Sequence, residues 1–212
     1  MAMENLREVI ESRRSIRKYL PDEVPEDFIK DVITAATHAP SGCNSQCWKF
    51  IVVRDKNLLE QIALAAEVGI RDFYRDTPDF ESVIDRRIRQ ITFFRHAPAV
   101  IFVFMTKMAY YDPRVVEYYH QKGFSDRQML DALGYPDVLS VGAAVQNMLL
   151  TIHAGGYGAC WMNDPIIAAR EICQVLGLSD ESQLLSVIPF GKPAYAPRSK
   201  VFKPMEDILE IR

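Results

Sequence analysis

Apolar side chains recur along this chain with two different spacings, and the changes between them mark out its elements. Leu6, Val9 and Ile10 fall on one side of a first helix. Pro25 followed by Glu26 and Asp27 opens a second, since a first turn has no use for the N–H that proline lacks; Phe28, Val32 and Ile33 form its inward side. Trp48–Val53 reads as a buried strand, residues 56–66 as a helix, and residues 97–105 as a second buried strand following Pro98. Both strands are too apolar to be edges. Over residues 138–154 the apolar positions run around nearly the whole helix, and Gly142, Ala143 and Ala144 permit close approach of a neighbour, so this helix is central or lies in an interface. Gly155, Gly156 and Gly158 end it and lead into a short strand over residues 159–162. Pro165 starts another helix through Val175, and residues 184–190 form a last core strand ending at Gly191-Lys192-Pro193.

Two stretches carry weaker patterns. Residues 70–96 are rich in Arg, Asp, Phe and Tyr; they read as a solvated helix with Phe80, Ile84, Ile88 and Ile91 packed down, and as a lid over a site. The tail, residues 194–212, holds two prolines and a weakly apolar finish suited to wrapping a neighbouring surface. Neither linkers nor repeats divide the chain, which reads as one domain over residues 1–212.

Composition narrows the function classes. With 49% apolar residues in 212, a sizeable core can form. The formal charge of −3, with bases and acids interleaved beyond the amino end, gives no case for nucleic acid. No apolar run reaches the length of a membrane span, and Met1 leads straight into a charged amphipathic segment, so the cytoplasm is the expected compartment. Cys43, Cys47, Cys160 and Cys173 lack the spacing of a disulfide framework or a paired zinc motif and read as reduced thiols. His38, Cys43 and Cys47 together want a fourth ligand to hold a metal, and none is offered. No histidine sits in a nucleophile motif. The glycines at 155, 156 and 158 follow a helix and precede a strand, the reverse of the order that a dinucleotide-binding turn requires.

Two segments carry candidate chemistry. Arg13-Arg14-Ser15-Ile16-Arg17-Lys18-Tyr19 gathers cationic and hydroxyl donors suited to a phosphate, which a planar guanidinium meets with two parallel charge-assisted hydrogen bonds. If this segment is extended, Arg13, Ser15 and Arg17 share one face while Arg14 and Ile16 share the other. A solvated helix end whose arginines pair with nearby acids is the competing reading. Pro40-Ser41-Gly42-Cys43-Asn44-Ser45-Gln46-Cys47-Trp48 places small and amide side chains between a helix and a strand, as a ligand cradle does.

The order and spacing of Arg13-Arg14-Ser15-x-Arg17, of Ala39-Pro40-Ser41-Gly42-x-Asn44-x-Gln46-x-Trp48, of the glycine-rich helix exit and of Pro189-x-Gly191-x-Pro193 resemble the FMN-dependent nitroreductase family over the whole chain. The resemblance implies an α+β fold, a mixed and mainly antiparallel sheet packed by helices, in an intertwined homodimer with two FMN sites at the interface. Matched residue by residue, Arg13, Arg14 and Ser15 would hold the FMN phosphate and ribityl chain, and Arg17 would approach the pyrimidine edge, where a fixed cation favours the reduced ring. Pro40, Ser41, Gly42 and Asn44 would come from the other subunit. Trp161, Met162 and Asn163 match the segment lining the flavin, and Lys200 stands where the family often places a phosphate-binding lysine. Two positions depart from the pattern: Cys47 replaces a usual proline, and Phe202 stands where an arginine is common, with Arg198 close enough in sequence to replace it.

The implied activity is NAD(P)H-dependent reduction of nitroaromatics, quinones or a similar small acceptor by ping-pong turnover. Iodotyrosine deiodinases share the Arg-Arg-Ser and Pro-Ser-Gly motifs, which makes reductive dehalogenation an alternative, although residues 70–96 lack the lysine of their lid. A flavin-binding redox sensor without turnover is the third reading.

Overall fold

The central strand of the sheet is β2 (Ala99–Met105), and its side chains alternate between two cores. Val100, Phe102 and Phe104 face one side; Ala99, Ile101 and Val103 face the other. Burial on both faces explains its unbroken apolar run. The computed structural model describes residues 3–77, 80–109, 112–179 and 183–212. Four strands lie in the order β1 (Trp48–Val53), β2, β4 (Gln183–Gly191) and β3 (Gly158–Ala159), each pair antiparallel, with a bulge between Val103 and Phe104. Strand β1, expected to be too apolar for an edge, is an edge strand of this sheet, its side chains only half-buried apart from buried Val53 and exposed Lys49. An isolated parallel bridge between Ser15 and Ala159 makes the whole arrangement mixed.

On the first face lie α3 (Lys56–Tyr74), α4 (Glu81–Thr92) and α8 (Ala169–Val175), where Leu59, Ile62, Ile91 and Ile172 are fully buried against Phe102 and Val187. On the second lie α2 (Glu26–Thr37) and α7 (Pro136–Ala154), with Val32, Val145, Met148 and Ile152 against Ile101, Ile188 and Phe190. Each such side chain contributes roughly 1.5 to 3 kcal/mol by leaving water. The result is a layer of helices on either side of one sheet, an α+β fold. Helix α1 (Met3–Ser12) packs across α7, leaving Leu6 and Ile10 about half exposed.

Several boundaries differ from the sequence expectation. Helix α3 does not stop at residue 66 but continues through Ile70 to Tyr74, because Gly69 and Ile70 remain on its buried side. It begins where the Asp55 carboxylate accepts the Leu58 N–H at 2.8 Å. The helix expected over residues 165–175 is a 3₁₀ turn, Asp164–Ala168, followed by α8. The expected strand over residues 159–162 is β3 plus a separate bridge from Met162 to Val187. Residues 70–96, of which 78 and 79 lie outside the described residues, form the end of α3, α4 and a 3₁₀ turn, Phe93–His96. Phe80 stacks on Tyr74 at 3.9 Å, and Ile88 and Ile91 are buried. Between β2 and α7 stand two short helices that no sequence reading anticipated, α5 (Pro113–Gln121) and α6 (Asp126–Ala132), the latter opened by a reciprocal cap between Ser125 and Gln128.

No helix among the described residues is long and apolar enough to cross a membrane. The tail beyond Pro193 runs exposed, with Val201 94%, Phe202 66% and Ile211 85% accessible.

Candidate functional site

The arginine segment leaves α1 as an extended strand-like stretch laid along β3. Arg13 N–H still closes on Val9 O, Ser15 bridges Ala159, and Ile16 N–H donates to Ala159 O at 2.9 Å. Ile16 is buried beneath it, so close to β3 that a Cβ at Gly158 would lie 2.4 Å from Ile16 Cγ1. Tyr19 ends the segment, its hydroxyl lying 2.5 Å from Ile16 O and 3.0 Å from Pro189 O. Burial pushes that phenol far above its ordinary pKa, so it remains a donor at any working pH. Leu20 N–H to Lys192 O and Ala194 N–H to Lys18 O complete the attachment.

This backbone fixes the faces on which the side chains stand. Ile16 points into the core; Arg13 and Ser15 are half-buried, and Arg17 is exposed. Among the described residues neither Arg13 nor Arg17 makes an ion pair, whereas Arg71, Arg75, Arg87 and Arg95 are all paired with carboxylates. The four pairs also neutralise most of the cationic excess of the 70–96 stretch. Arg14 turns back, donating to Glu11 O at 2.6 Å and Arg13 O at 2.8 Å, and so caps the end of α1. Cys160, read from the sequence only as a reduced thiol, lies buried beneath the segment; burial pushes its pKa up although Arg17 and Arg13 oppose the shift. His153, at the end of α7, sits 2.7 Å from Ser12 Oγ. Burial, with Arg13 and Arg14 adding to it, lowers the imidazole below its usual value. Because Ser12 spends its hydrogen on Glu8 O, the histidine Nε2 is the donor in that contact.

The second loop, residues 40–47, is held in strained backbone. Cys43, Asn44 and Gln46 have φ of 55°, 49° and 45°, at a cost on the order of 1 kcal/mol each for residues with a Cβ. Gly42 N–H donates to Ser140 Oγ at 3.0 Å, and Gln46 N–H to Ser41 Oγ at 3.1 Å. The Asn44 side chain is exposed. Pro40 is exposed as well, while Ser41 and Gly42 are half-buried. Cys47, where a proline was the usual residue, is fully buried, with its Sγ 3.8 Å from Asp137 O.

Within one chain the two loops stand at opposite ends of the sheet. Trp48, just after residues 40–47, pairs with Met105, whereas the arginine segment adjoins Ala159 and Phe190, which pairs with Ala99. From Ala99 to Met105 is roughly 20 Å at strand rise. Helix α7 gives the same separation, since Ser140 meets one loop and His153 the other, about 20 Å apart at 1.5 Å per residue.

Three further candidates follow the arginine segment. Trp161 is 37% exposed and reaches toward Gly142 on α7; Met162 is buried in its bridge; Asn163 is exposed at the start of the next turn. Lys200 stands in the exposed tail with its ammonium 5.0 Å over the Phe202 ring. The tail joins the arginine segment at Tyr195, whose hydroxyl accepts from Arg17 N–H at 3.4 Å. A cavity of about 650 Å³ opens beside residues 40–47, lined by Phe104, Met105, Met108, Met129 and Leu130, with Lys107 and Arg127 also on its wall.

A model described as the nitroreductase family matches residues 10–192. The Bacillus subtilis protein YfhC, named provisionally as an NAD(P)H nitroreductase, is 26% identical over 207 residues, covering 95% of this chain and 91% of its own. An iodotyrosine deiodinase of Thermotoga neapolitana is 26% identical over 207 residues, covering 94% and 96%. Among solved structures, a BluB-like flavoprotein from Clostridium difficile superposes with a TM-score of 0.83 at 28% identity over 98% of each chain. A Desulfovibrio desulfuricans protein assigned provisionally to the nitroreductases and solved with FMN gives 0.67 at 25% identity, over 98% of this chain and 96% of that one.

Proposed function

Since the chain belongs to the nitroreductase family, we propose that it is an FMN-dependent oxidoreductase that uses NAD(P)H to reduce nitroaromatics, quinones or a similar small acceptor, working as a homodimer. The observation that carries the reading is the arginine segment, where half-buried Arg13 and exposed Arg17 stand without acid partners among the described residues on a backbone pinned to β3 and β4. Two guanidinia without acid partners, four residues apart in sequence, fit a doubly charged phosphate monoester, and the donor set matches FMN. FMN is also the ligand solved with the Desulfovibrio desulfuricans protein, to which this chain is similar.

In this reading Arg13 and Ser15 hold the phosphate and ribityl hydroxyls, and Arg17 lies at the pyrimidine edge. Arg14 reaches the ligand only by giving up its carbonyls at the end of α1. Trp161, Met162 and Asn163 border the ring. Bound FMN supplies hydride acceptance from NAD(P)H and electron delivery to the second substrate, the two occupying one site in turn. The chain's own residues bind, orient and exclude water, so neither a covalent nucleophile nor a strong base is required of them. The cavity beside residues 40–47, lined by three adaptable methionines, suits acceptors of varied shape.

The homodimer is inferred from the roughly 20 Å between the loops and from the exposed apolar tail. Pro40, Ser41, Gly42 and Asn44 then serve the flavin held by the partner, and Lys200 moves to its phosphate as the tail wraps the second copy. Reductive dehalogenation is the second reading, favoured by the similarity to the Thermotoga neapolitana deiodinase. Anaerobic reduction of the purified holoprotein by NADH or NADPH, followed by an acceptor screen that includes nitroaromatics, quinones and an iodotyrosine, tests both. Reoxidation by nitroaromatics or quinones but not by the iodotyrosine supports the first reading; the opposite pattern supports the second. Failure of NAD(P)H to bleach the flavin refutes the proposed reductant.

A further inference from the structure

Residues 40–47 are tied at both ends to the first two turns of α7, and the tie has a direction. At the near end Gly42 N–H donates to Ser140 Oγ at 3.0 Å. At the far end the buried Cys47 thiol faces Asp137 O. Between these anchors stand the three residues with positive φ. Ser140 is 5% exposed, and its own hydrogen goes to Pro136 O, one helical turn back. A serine hydroxyl offers one hydrogen and two lone pairs, so with its hydrogen spent Ser140 meets Gly42 as an acceptor. The bond to the carbonyl four residues back is what a helical serine makes anyway. The second bond, to a loop 98 residues away in sequence, is the unusual one. Gly42 is packed against the end of the Met108 side chain and against Pro136, the first residue of α7: a Cβ there would lie 2.7 Å from Met108 Cε and 3.4 Å from Pro136 Cβ.

We propose that Ser140 is a positioning residue of the flavin site: by holding Gly42 N–H it sets the strained loop against which the second copy's flavin rests. The inference rests on the FMN reading above for its consequence, but not for the contact itself. Without the hydroxyl, Gly42 N–H loses its acceptor, and the turn beside it, still closed within itself by Asn44 N–H to Ser41 O, Ser45 N–H to Gly42 O and Gln46 N–H to Ser41 Oγ, is held to α7 at its far end only. Ser41, Gly42 and Asn44 then meet the ring at a different height and angle.

The test uses the full-length protein with Ser140→Ala and Ser140→Thr, followed by hydrogen exchange at Gly42, FMN titration of each apoprotein and the visible spectrum of the bound flavin. Ser140→Ala should speed Gly42 exchange about tenfold relative to the amides of α7, weaken FMN by about three- to tenfold and alter the shape of the flavin band. Ser140→Thr, which keeps the hydroxyl, should restore all three. If Ser140 merely stabilises α7, the alanine variant lowers Tm while exchange at Gly42, affinity and spectrum stay as in wild type, and the proposal is overturned. Should the alanine variant fail to fold, protection of Gly42 in the wild-type apoprotein decides, because an amide exchanging at open-loop rates has no anchor. Arg13→Ala, run alongside, separates the two layers: unchanged FMN affinity there refutes the flavin reading, while Gly42 exchange still reports on Ser140.

Discussion

Replacing Arg13 by alanine should remove most of the grip on FMN while leaving the folded apoprotein as stable as before. Arg13 is half-buried and has no carboxylate partner among the described residues, so its loss strands no acid. Its backbone N–H keeps the bond to Val9 O that ends α1, which alanine also makes. The effect on stability should therefore stay within about 0.5 kcal/mol. A guanidinium meeting a phosphate through charge-assisted bonds contributes about 2 to 3 kcal/mol, so Kd should rise roughly 30- to 150-fold. Quenching of FMN fluorescence on titration into apoprotein reads this directly, at two salt concentrations because a partly exposed contact is screened. Arg7→Ala is the control: Arg7 lies on α1, the helix that Arg13 follows, 80% exposed and paired with Glu11, and should change neither quantity. Equal affinity in wild type and Arg13→Ala would refute the reasoning, as would a loss of several kcal/mol in apoprotein stability, which would make Arg13 a structural residue.

Arg17→Ala should lower the reduction potential of the bound flavin by about 30 to 65 mV, the two-electron equivalent of losing one charge-assisted interaction; dye equilibration measures it, and an unchanged potential means that Arg17 points elsewhere. Gly158→Ala should destabilise the protein by about 1 to 3 kcal/mol in urea unfolding, because the new Cβ would meet Ile16 at 2.4 Å and lift the arginine segment from β3; wild-type stability would show that the loop gives way freely. His153 has an imidazole pKa below its usual 6.5 in the folded chain, so the unfolded chain takes up the proton first as pH falls. Apoprotein stability should be complete above about pH 6.5 and decline below it, and His153→Gln should flatten that part of the profile; an identical decline in the variant would assign it to other groups.

The layers of this fold were legible because burial writes itself into the sequence. Strand β2 is a continuous apolar run, β4 is nearly one, and α7 carries apolar residues on nearly every side; the same cue misplaced β1, whose apolar residues stand at an edge. What escaped were elements whose signals are local and polar. Helix α6 begins with a Ser125-to-Gln128 cap, and α5 with Asp112 before Pro113, both readable signs placed ahead of helices with few buried residues. The extension of α3 to Tyr74 was hidden by Gly69, which reads as a breaker but sits so close to Ala168 and Glu171 that a larger residue would not fit. For the candidate site, sequence spacing identified both loops. It could not reveal that they stand at opposite ends of the sheet, or that Ser140 and Ala159 hold the loops from elsewhere in the chain. Those are products of tertiary packing, and no periodicity encodes them.

The central claim is that this chain is an FMN protein whose arginine segment binds the terminal phosphate. Heat release of the flavin from purified protein, separated by chromatography and counted against protein concentration, tests it most directly. The account predicts a yellow protein that yields FMN, not FAD, at about one per chain. A colourless protein that takes up no FMN on titration, or one that yields FAD, would contradict it.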